Sequence, residues 1–374
     1  MQPTITSLVF KTIPGILLMF FIAVLTMGGQ DIGIPWPGLE HHFRTNPITK
    51  NVVDIFRLNY ILLCIIIGML IGNLFRLPDW ILAGVSTSRL FIKLGVILLG
   101  SLYSFADVAQ LGITAIILVL SFVVLTLLFT LWLGKKAGMD PASAAVLSAG
   151  TAVCGVSAVV ATAPAVRAKT TDVVYSIATI LTFGVVSIFL FPVIGHLLNL
   201  SPHQFGVWAG TGILSSGQVL AACLIYDPGT ATHASESLKT GEIYNLTRVL
   251  FLPFVVLALA AVTSRSAQLP DDHINIHTGL WSKFPVFVIG FLVMVFLTSF
   301  GLLGQTAPPS PELVTIRKLY NWFFAIGLTG LGMQISFSEL RKAGGKPLVV
   351  GSSAAMLKAV LALIIVLLFI PEKP

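Results

Sequence analysis

The feature that most constrains this chain is a series of long segments without a charged side chain. A helix that crosses the hydrocarbon layer of a membrane needs roughly 20 mostly apolar residues. Segments free of Asp, Glu, Lys and Arg cover residues 12–29, 58–75, 108–134, 141–166, 173–226, 249–264, 284–311 and 319–338, and basic residues alone interrupt 80–106 and 347–371. The segment 173–226 is too long for one span and has a polar break at 199–204, so the sequence predicts eleven membrane segments.

The composition excludes an ordinary soluble protein. Only 10% of the residues are charged and 56% are hydrophobic, whereas soluble domains carry about 25% charged residues. The apolar runs are continuous rather than alternating, which favours helices over barrel strands. We therefore expect an all-α polytopic membrane protein with a single integral domain, residues 1–374. Within it, 12–75 would form peripheral N-terminal helices, with Ile13–Met27 retained as a helix rather than cleaved as a signal peptide, and 80–371 a repeat-containing transport core.

The net charge of +7 is spread over many short loops. Scattered basic residues are typical of loops that face anionic lipid, so we expect lipid rather than nucleic acid as the partner. The positive-inside rule places Lys135, Lys136 and the basic residues of 341–346 in the cytoplasm, on the same side as the N-terminus. The localisation predicted is the cell membrane, of the bacterial inner-membrane type.

Metal and cofactor signals are weak. Cys64, Cys154 and Cys223 lie in apolar segments, which argues against a disulfide framework or a CxxC metal site. Residues 271–277 and the pair His41 and His42 resemble loose metal clusters, but solvated loops explain them better. No enzyme motif is present. We expect no cofactor, although a coupling ion, Na⁺ or H⁺, is an open question.

Two pairs of similar strings indicate internal repeats. Residues 94–112 and 326–344 agree at six of nineteen positions, and each string reads as a helix end, a polar turn and the start of the next span. If every segment crosses once, the two copies face opposite ways, as in an inverted-topology repeat. The second pair, 148–169 and 205–222, shares Ala-Gly-Thr followed by small and hydroxyl residues. By the same count this second pair would be parallel, which does not fit the inverted repeat.

The composition of the second pair has two readings. Small residues such as Gly206 and Gly210 permit close packing between helices. Alternatively, each string is a broken or re-entrant helix, whose interrupted backbone faces a cavity and whose free N–H groups attract an anion. Both can hold together.

These strings carry a family resemblance. Residues 149–169 resemble the Gly-x-x-x-Cys-Gly-x-x-Ala signature, ending in Ala-Thr-x-Pro, of the YeiH-like membrane proteins, a family labelled sulfate exporters. The stretch 93–100, Arg248 followed by Pro253, and 342–348 also resemble that family. The resemblance covers about residues 55–370. It implies a secondary carrier of the superfamily of bile-acid, arsenite and riboflavin transporters, with inverted repeats and crossing discontinuous helices.

One departure from the family concerns ion coupling. The family carries His followed by Asp or Glu where this sequence has Leu214 and Ser215. An ionisable pair inside a membrane is a natural proton- or ion-coupling element. Its replacement puts the family's coupling mechanism in doubt for this chain.

Charged and hydroxyl side chains within the membrane segments are the candidate site residues. Lys93 could hold an anion, or could snorkel or pair with another helix, and Arg89 and Lys358 raise the same question. Arg248 could reach inward or contact a headgroup. The substrate-binding residues predicted are Lys93, Thr151, Cys154, Gly155, Ser157, Gly210, Thr211, Ser215, Ser216, Gln218 and Arg248.

The function expected is secondary transport of a small anion, such as sulfate, sulfite or an organosulfonate, by alternating access. A channel or uncoupled pore is the first alternative. A membrane-embedded enzyme is the second, disfavoured because the sequence suggests no carboxylate deep in a span. The expected partners are the solute and the bilayer, and a homodimer is possible.

Overall fold

The described residues of this computed structural model are 5–47, 49–50, 59–75, 77–229, 234–267, 286–304, 309–338 and 344–371. They are predominantly helical. The α-helices are α1 (Ile5–Met27), α2 (Leu39–Thr45), α3 (Tyr60–Leu74), α4 (Asp79–Val85), α5 (Ser88–Leu99), α6 (Phe105–Lys136), α7 (Pro141–Ala152), α8 (Val156–Thr162), α9 (Thr170–Leu197), α10 (Pro202–Gly212), α11 (Ser216–Tyr226), α12 (Glu236–Leu250), α13 (Leu252–Ala267), α14 (Val286–Ser299), α15 (Pro311–Gln334) and α16 (Gly345–Phe369).

Polar residues between the apolar runs set where several helices begin. The Asp140 carboxylate accepts a hydrogen bond from the Ala142 amide, with Pro141 in the first turn of α7. Ser201 and Gln204 form a reciprocal capping box at the start of α10. These side chains satisfy amides that have no partner within the helix. The break predicted at 199–204 is thus confirmed, since α9 ends at Leu197 and α10 begins at Pro202.

Within the part of the chain that the structure describes, five stretches are long and apolar enough to cross a membrane: Asp79–Leu102, Ala115–Lys136, Thr170–Leu197, Glu236–Thr263 and Gly345–Phe369. Shorter apolar helices accompany them, among them Tyr60–Leu74 and Val286–Ser299. The prediction of an all-α polytopic membrane protein is confirmed. One predicted boundary is wrong: the segment expected to begin at residue 249 belongs to a helical stretch that begins at Glu236. Charged residues interrupt the first part of that stretch, so a search for apolar runs does not recognise it as part of a buried helix.

The chain forms two compact units. Unit 1 comprises Met1–Phe105, Leu224–Ser235 and Phe287–Phe337, and unit 2 comprises Ala106–Cys223, Glu236–Val286 and Ser338–Pro374. The predicted division into peripheral helices (12–75) and a transport core (80–371) stays a prediction. In unit 1, α15 packs against α1, α3 and α5.

Helix α16 contacts both α7 and α10 in unit 2. Its contacts therefore show at which end of the unit each of these two helices begins. Near its N-terminal end, the Lys346 ammonium donates to the Gly138 carbonyl at 2.9 Å. Near its C-terminal end, the Gln204 amide donates to the Ile370 carbonyl at 2.9 Å. Helices α7 and α10 therefore start at opposite ends of the unit. The contact with Gly138 also places the loop after Lys136 beside Lys346, as the charge pattern predicted for two clusters on one side.

Both small-residue strings are helical hairpins. A Cβ on Gly150 of α7 would lie 2.7 Å from Val159 of α8, a proximity that two helices continuing in one direction would not give. Helix α8 therefore folds back beside α7. The broken-helix reading of this string is therefore the one observed, as a hairpin of α7 and α8.

Contacts with helix α12 show that α10 and α11 also form a hairpin. A Cβ on Gly206 would lie 2.6 Å from the Ser237 carbonyl, and one on Gly210 would lie 2.5 Å from the Gly241 carbonyl, so α10 runs parallel to α12. Ser237 Oγ also donates to the Cys223 carbonyl of α11 at 2.9 Å. Ser216 bonds further along α12, so α11 runs antiparallel to it. The two hairpins thus enter unit 2 from opposite ends, as an inverted arrangement requires, and the close packing of Gly206 and Gly210 coexists with the break.

The predicted repeat of 94–112 and 326–344 agrees in part with the described residues. Helix α5 ends at Leu99 before α6 begins at Phe105, and α15 ends at Gln334 before α16 begins at Gly345. The first string thus contains a helix end, a turn and the start of α6, and the described part of the second contains the end of α15. Their inverted relation stays a prediction.

Candidate functional site at two hairpin tips

The first hairpin turns at Val153, Cys154 and Gly155. Gly155 has φ of 69° and ψ of −128°, a conformation that a residue with a Cβ adopts only with strain. The Gly155 amide donates to the Gly150 carbonyl at 3.0 Å. The last carbonyls of α7, those of Thr151 and Ala152, are left without a partner in the helix, as is general at a helix C-terminus.

The second hairpin turns at Ile213, Leu214 and Ser215. Helix α10 ends at Gly212, and Ile213 is extended, with φ of −75° and ψ of 142°. A Cβ on Gly155 would lie 3.1 Å from Ser215 Cβ and 3.5 Å from the Leu214 carbonyl oxygen. The two tips therefore contact each other. They meet near Lys358 and Ala359, close to the middle of α16, because Lys358 contacts α7 and Ala359 accepts from Trp208 of α10.

A buried lysine caps the first tip. Lys358 Nζ donates to the carbonyls of Thr151 at 3.2 Å and Ala152 at 3.3 Å, and the residue is 2% exposed. A cation at the C-terminus of a helix is stabilised by the helix dipole. Lys358 thus satisfies the free carbonyl end of α7.

A buried arginine caps the second tip. Arg248 of α12 is 1% exposed and donates through Nη1 to the Ile213 carbonyl at the end of α10. Its Nη2 donates to Asn245 Oδ1 at 3.1 Å, while its Nε has no partner. Of the two readings of Arg248, the inward one is therefore the one observed. Arg248 and Lys358 interact electrostatically with each other and with the Cys154 thiol.

A carboxylate completes the cluster. Glu242 is 0% exposed, its Oε2 accepts from Asn245 Nδ2 at 3.0 Å, and its Oε1 has no partner. Ser216 Oγ donates to Asn245 Oδ1 at 2.9 Å, which ties α11 to the same network. The expectation that no carboxylate lies deep in a span is wrong. Glu242 was assigned to a loop because Glu236, Lys239 and Glu242 interrupt the apolar pattern.

The predicted site residues divide into two groups. Thr151, Cys154, Gly155, Gly210, Thr211, Ser215, Ser216, Gln218 and Arg248 all lie in the two hairpins or in α12. The side-chain oxygens Thr211 Oγ1 and Gln218 Oε1 are buried without a partner. Ser215 and Ser216 are half-buried, so the second tip is the more accessible one.

Two predicted residues differ from these: Lys93 lies outside the hairpins and α12, and Ser157 lies in the first hairpin but is exposed. Lys93 belongs to unit 1, is exposed, and has its Nζ 5.9 Å from the centre of the Phe287 ring. Ser157 lies in α8 with an exposed side chain. Arg89 is also exposed. A basic residue in an apolar segment can face either lipid or the interior, and sequence spacing alone did not separate these from Lys358.

The described residues contain no group of three or more His, Cys, Asp or Glu side chains that could hold a metal ion. His41 and His42 lie exposed in α2. Residues 271–277 fall outside the described residues. Cys64, Cys154 and Cys223 are buried and form no disulfide bond.

Comparisons with known proteins identify the family. The family described as "Conserved hypothetical protein 698" matches residues 14–351. A "UPF0324 membrane protein" of Nitratidesulfovibrio vulgaris is 46% identical over 325 residues, 86% of this chain and 87% of the relative. The "UPF0324 inner membrane protein YeiH" of Escherichia coli K12 is 33% identical over 293 residues, 76% of this chain and 79% of the relative.

No solved structure matches the chain. The names of the relatives state a membrane location and no substrate, so the sulfate label of the family stays untested. The apolar helices and these relatives make the chain a multi-pass protein of the cell membrane. It belongs to the UPF0324 family of membrane proteins, the YeiH-like family whose motifs its sequence carries.

Proposed function

We propose that the protein is a secondary carrier of a small anion that binds where the two hairpin tips meet. The observation that carries the proposal is the distribution of donors and acceptors at the tips. Lys358 and Arg248 occupy the carbonyl ends of α7 and α10. At the accessible second tip, unpartnered donors stand beside acceptors such as Gln218 Oε1, and these donors favour an anion.

The donors come from α11 and its surroundings. The first N–H groups of a helix have no partner within it and bear partial positive charge. At α11 they lie beside the half-buried hydroxyl groups of Ser215 and Ser216. Arg248 Nε, which has no partner, adds a buried cationic donor from α12. An oxyanion accepts several such hydrogen bonds at once.

The position of the tips supports a carrier. Substrate sites in many carriers lie near the bilayer midplane, between discontinuous helices of inverted repeats. Here the tips meet near the middle of α16, a helix long enough to cross the membrane. Alternating access to this point from the two sides is the mechanism that we propose.

A channel is the main alternative. A continuous pore would pass an ionic current without any anion on the far side of the membrane. A carrier changes its orientation faster when an anion is bound, so an anion on the far side accelerates uptake.

A membrane-embedded enzyme is the second alternative. The main objection to it no longer holds, because Glu242 is a buried carboxylate. The structure offers no nucleophile paired with a base at the tips in the described residues, so transport stays the proposal.

The test uses purified protein in liposomes loaded with unlabelled sulfate, sulfite, an organosulfonate or a carboxylate. We expect one of these anions to accelerate uptake of the same labelled anion, and to raise the melting temperature of the detergent-solubilised protein. Arg248→Lys should weaken both effects, while Arg89→Lys, an exposed position, should change neither. Conductance in a planar bilayer without exchange would support a channel and refute the carrier.

A further inference from the structure

The carbonyl ends of interrupted helices are where carriers commonly hold a free coupling cation. In this chain the ends of both α7 and α10 are occupied by the chain's own cations. Lys358 Nζ bonds the carbonyls of Thr151 and Ala152, and Arg248 bonds the carbonyl of Ile213. Both basic side chains are buried. A Na⁺ ion at either end would meet a positive charge already in place.

The buried carboxylate next to these cations is also incompletely bonded. Glu242 Oε1 has no hydrogen-bond partner, although the residue is fully buried. Among the described residues, Glu242 is the one Asp or Glu side chain that is buried. A buried ionisable group within a membrane is costly and commonly marks a proton pathway. The free oxygen is the atom that a proton could occupy.

We propose that Glu242 is the proton-binding site that couples transport, and that transport needs no Na⁺. The proposal rests on the proposed function, since it assigns the coupling ion of that same site. A proton binds Glu242 Oε1 when the anion enters, giving the neutral acid, and both leave on the other side. With Lys358, Arg248 and Glu242 all ionised, the cluster has one excess positive charge, and the proton raises the excess to two. A divalent anion therefore favours uptake of the proton.

The surroundings of Glu242 leave Arg248 as its main charged neighbour. Asn245 bridges the two, accepting from Arg248 and donating to Glu242. The titratable or charged residues on the elements around α12 are His203 of α10, Cys223 and Tyr226 of α11, Arg265 of α13, Cys154 between α7 and α8, and Lys346 and Lys358 of α16, and α12 itself adds Glu236, Lys239 and Tyr244. His203 bonds Thr240 through Nδ1 at 3.1 Å, half a turn from Glu242 along α12.

The first experiment measures anion uptake by wild-type proteoliposomes under a Na⁺ gradient, and under a proton gradient with K⁺ in place of Na⁺. We expect the proton gradient, acid on the side of uptake, to drive accumulation. The Na⁺ gradient at equal pH should not. A pH-sensitive dye inside the vesicles should report proton entry together with the anion. Uptake that requires Na⁺ would overturn the inference while leaving the carrier function standing.

The second experiment uses Glu242→Gln, which keeps the shape and a hydrogen bond to Asn245 but cannot be deprotonated. We expect this variant to lose proton entry and gradient-driven accumulation, and to lose much less of the exchange of labelled for unlabelled anion. Glu312→Gln, which removes an exposed carboxylate at the start of α15, is the matched control and should behave as the wild type. Proton-driven accumulation that persists in Glu242→Gln would refute the role of Glu242.

The third experiment opens a carbonyl end. Lys358→Met removes the ammonium from Thr151 and Ala152, and we expect anion uptake, or binding measured by melting temperature, to become stimulated by Na⁺.

Infrared spectra of the purified wild type should also show a protonated carboxyl band that rises on acidification and is absent in Glu242→Gln. This readout needs no transport. Its absence would overturn the proton site even if anion flux were never observed, whereas its presence without flux would overturn only the carrier function.

Discussion

At the scale of single residues, Arg248 is the side chain on which most of the cluster depends. One nitrogen caps the end of α10 through the Ile213 carbonyl, and another holds Asn245, which in turn holds Glu242 and Ser216. The planar guanidinium can serve both partners at once because its donors point in fixed, separate directions. A lysine has the charge without this fork.

Replacing Arg248 by Ala should therefore destabilise the protein by about 3 kcal/mol, the scale of breaking a buried charged network. Arg248→Lys should recover part of this loss. Unfolding of the protein in detergent, followed by helical signal, measures both changes. The exposed pair of Lys318 and Asp31, only 2.6 Å apart, provides the control, because Lys318→Ala should cost less than about 1 kcal/mol. Equal losses at the two sites would contradict the importance of burial.

At the scale of elements, the packing of α10 against α12 is governed by glycines. At Gly210 an added Cβ would meet the backbone carbonyl of Gly241, which cannot rotate away. At Gly212, in the same helix, the nearest atoms belong to the Phe191 ring, at 3.2 Å and beyond. The same substitution thus meets a rigid neighbour at one position and a movable one at the other.

Gly210→Ala should lower stability by about 1–3 kcal/mol through overpacking, and should weaken anion exchange because α10 carries the second tip. Gly212→Ala should have a smaller effect on both. Melting temperature and exchange rate of the two variants check the comparison. A larger effect at position 212 would show that the helix approach is not what limits position 210.

The first hairpin depends on a different property of glycine. Gly155→Ala forces a positive φ onto a residue with a Cβ, at about 1–3 kcal/mol, and pushes that Cβ against Ser215. Gly138 has a similar φ of 65° but is exposed. We expect Gly155→Ala to impair both stability and anion exchange, and Gly138→Ala to lower stability alone. Normal exchange by Gly155→Ala would show that the contact of the tips is dispensable.

At the scale of the whole molecule, sidedness follows from charge. Lys346 contacts the loop that follows Lys136, so these two basic clusters share one end of unit 2. Because basic loops stay in the cytoplasm, this end should face the cytoplasm. If each small-residue string is a hairpin instead of a crossing, the chain between the two basic clusters has two fewer crossings. Because an even number is removed, both clusters stay on the same side of the membrane.

Cysteines placed at Lys136 and Lys346 should therefore react with a membrane-impermeant maleimide in inside-out vesicles and not in intact cells. The native Cys64, Cys154 and Cys223 are buried and should give little background in either preparation. The unsubstituted protein is the control. Labelling of either position in intact cells would reverse the assigned orientation.

The sequence by itself determined the membrane, the helical class and the family, and it marked both small-residue strings as candidate breaks. Uninterrupted apolar runs of about 20 residues form membrane-spanning helices and few other structures. The small-residue strings stand out because they lack the large apolar side chains that face lipid. Ten of the eleven predicted site residues, all except Lys93, lie in these hairpins or in α12, because the strings that carry them are short and local.

The tertiary structure decided which charges face inward. Lys93 and Lys358 both interrupt apolar runs, yet Lys93 is exposed and Lys358 caps the end of α7. Glu242 was missed because charged residues in α12 resemble a loop in the sequence, and only the folded chain shows that its side chain is fully buried. Helix spacing fixes which residues share a face, but only the neighbouring helices determine whether that face meets lipid, water or a buried partner.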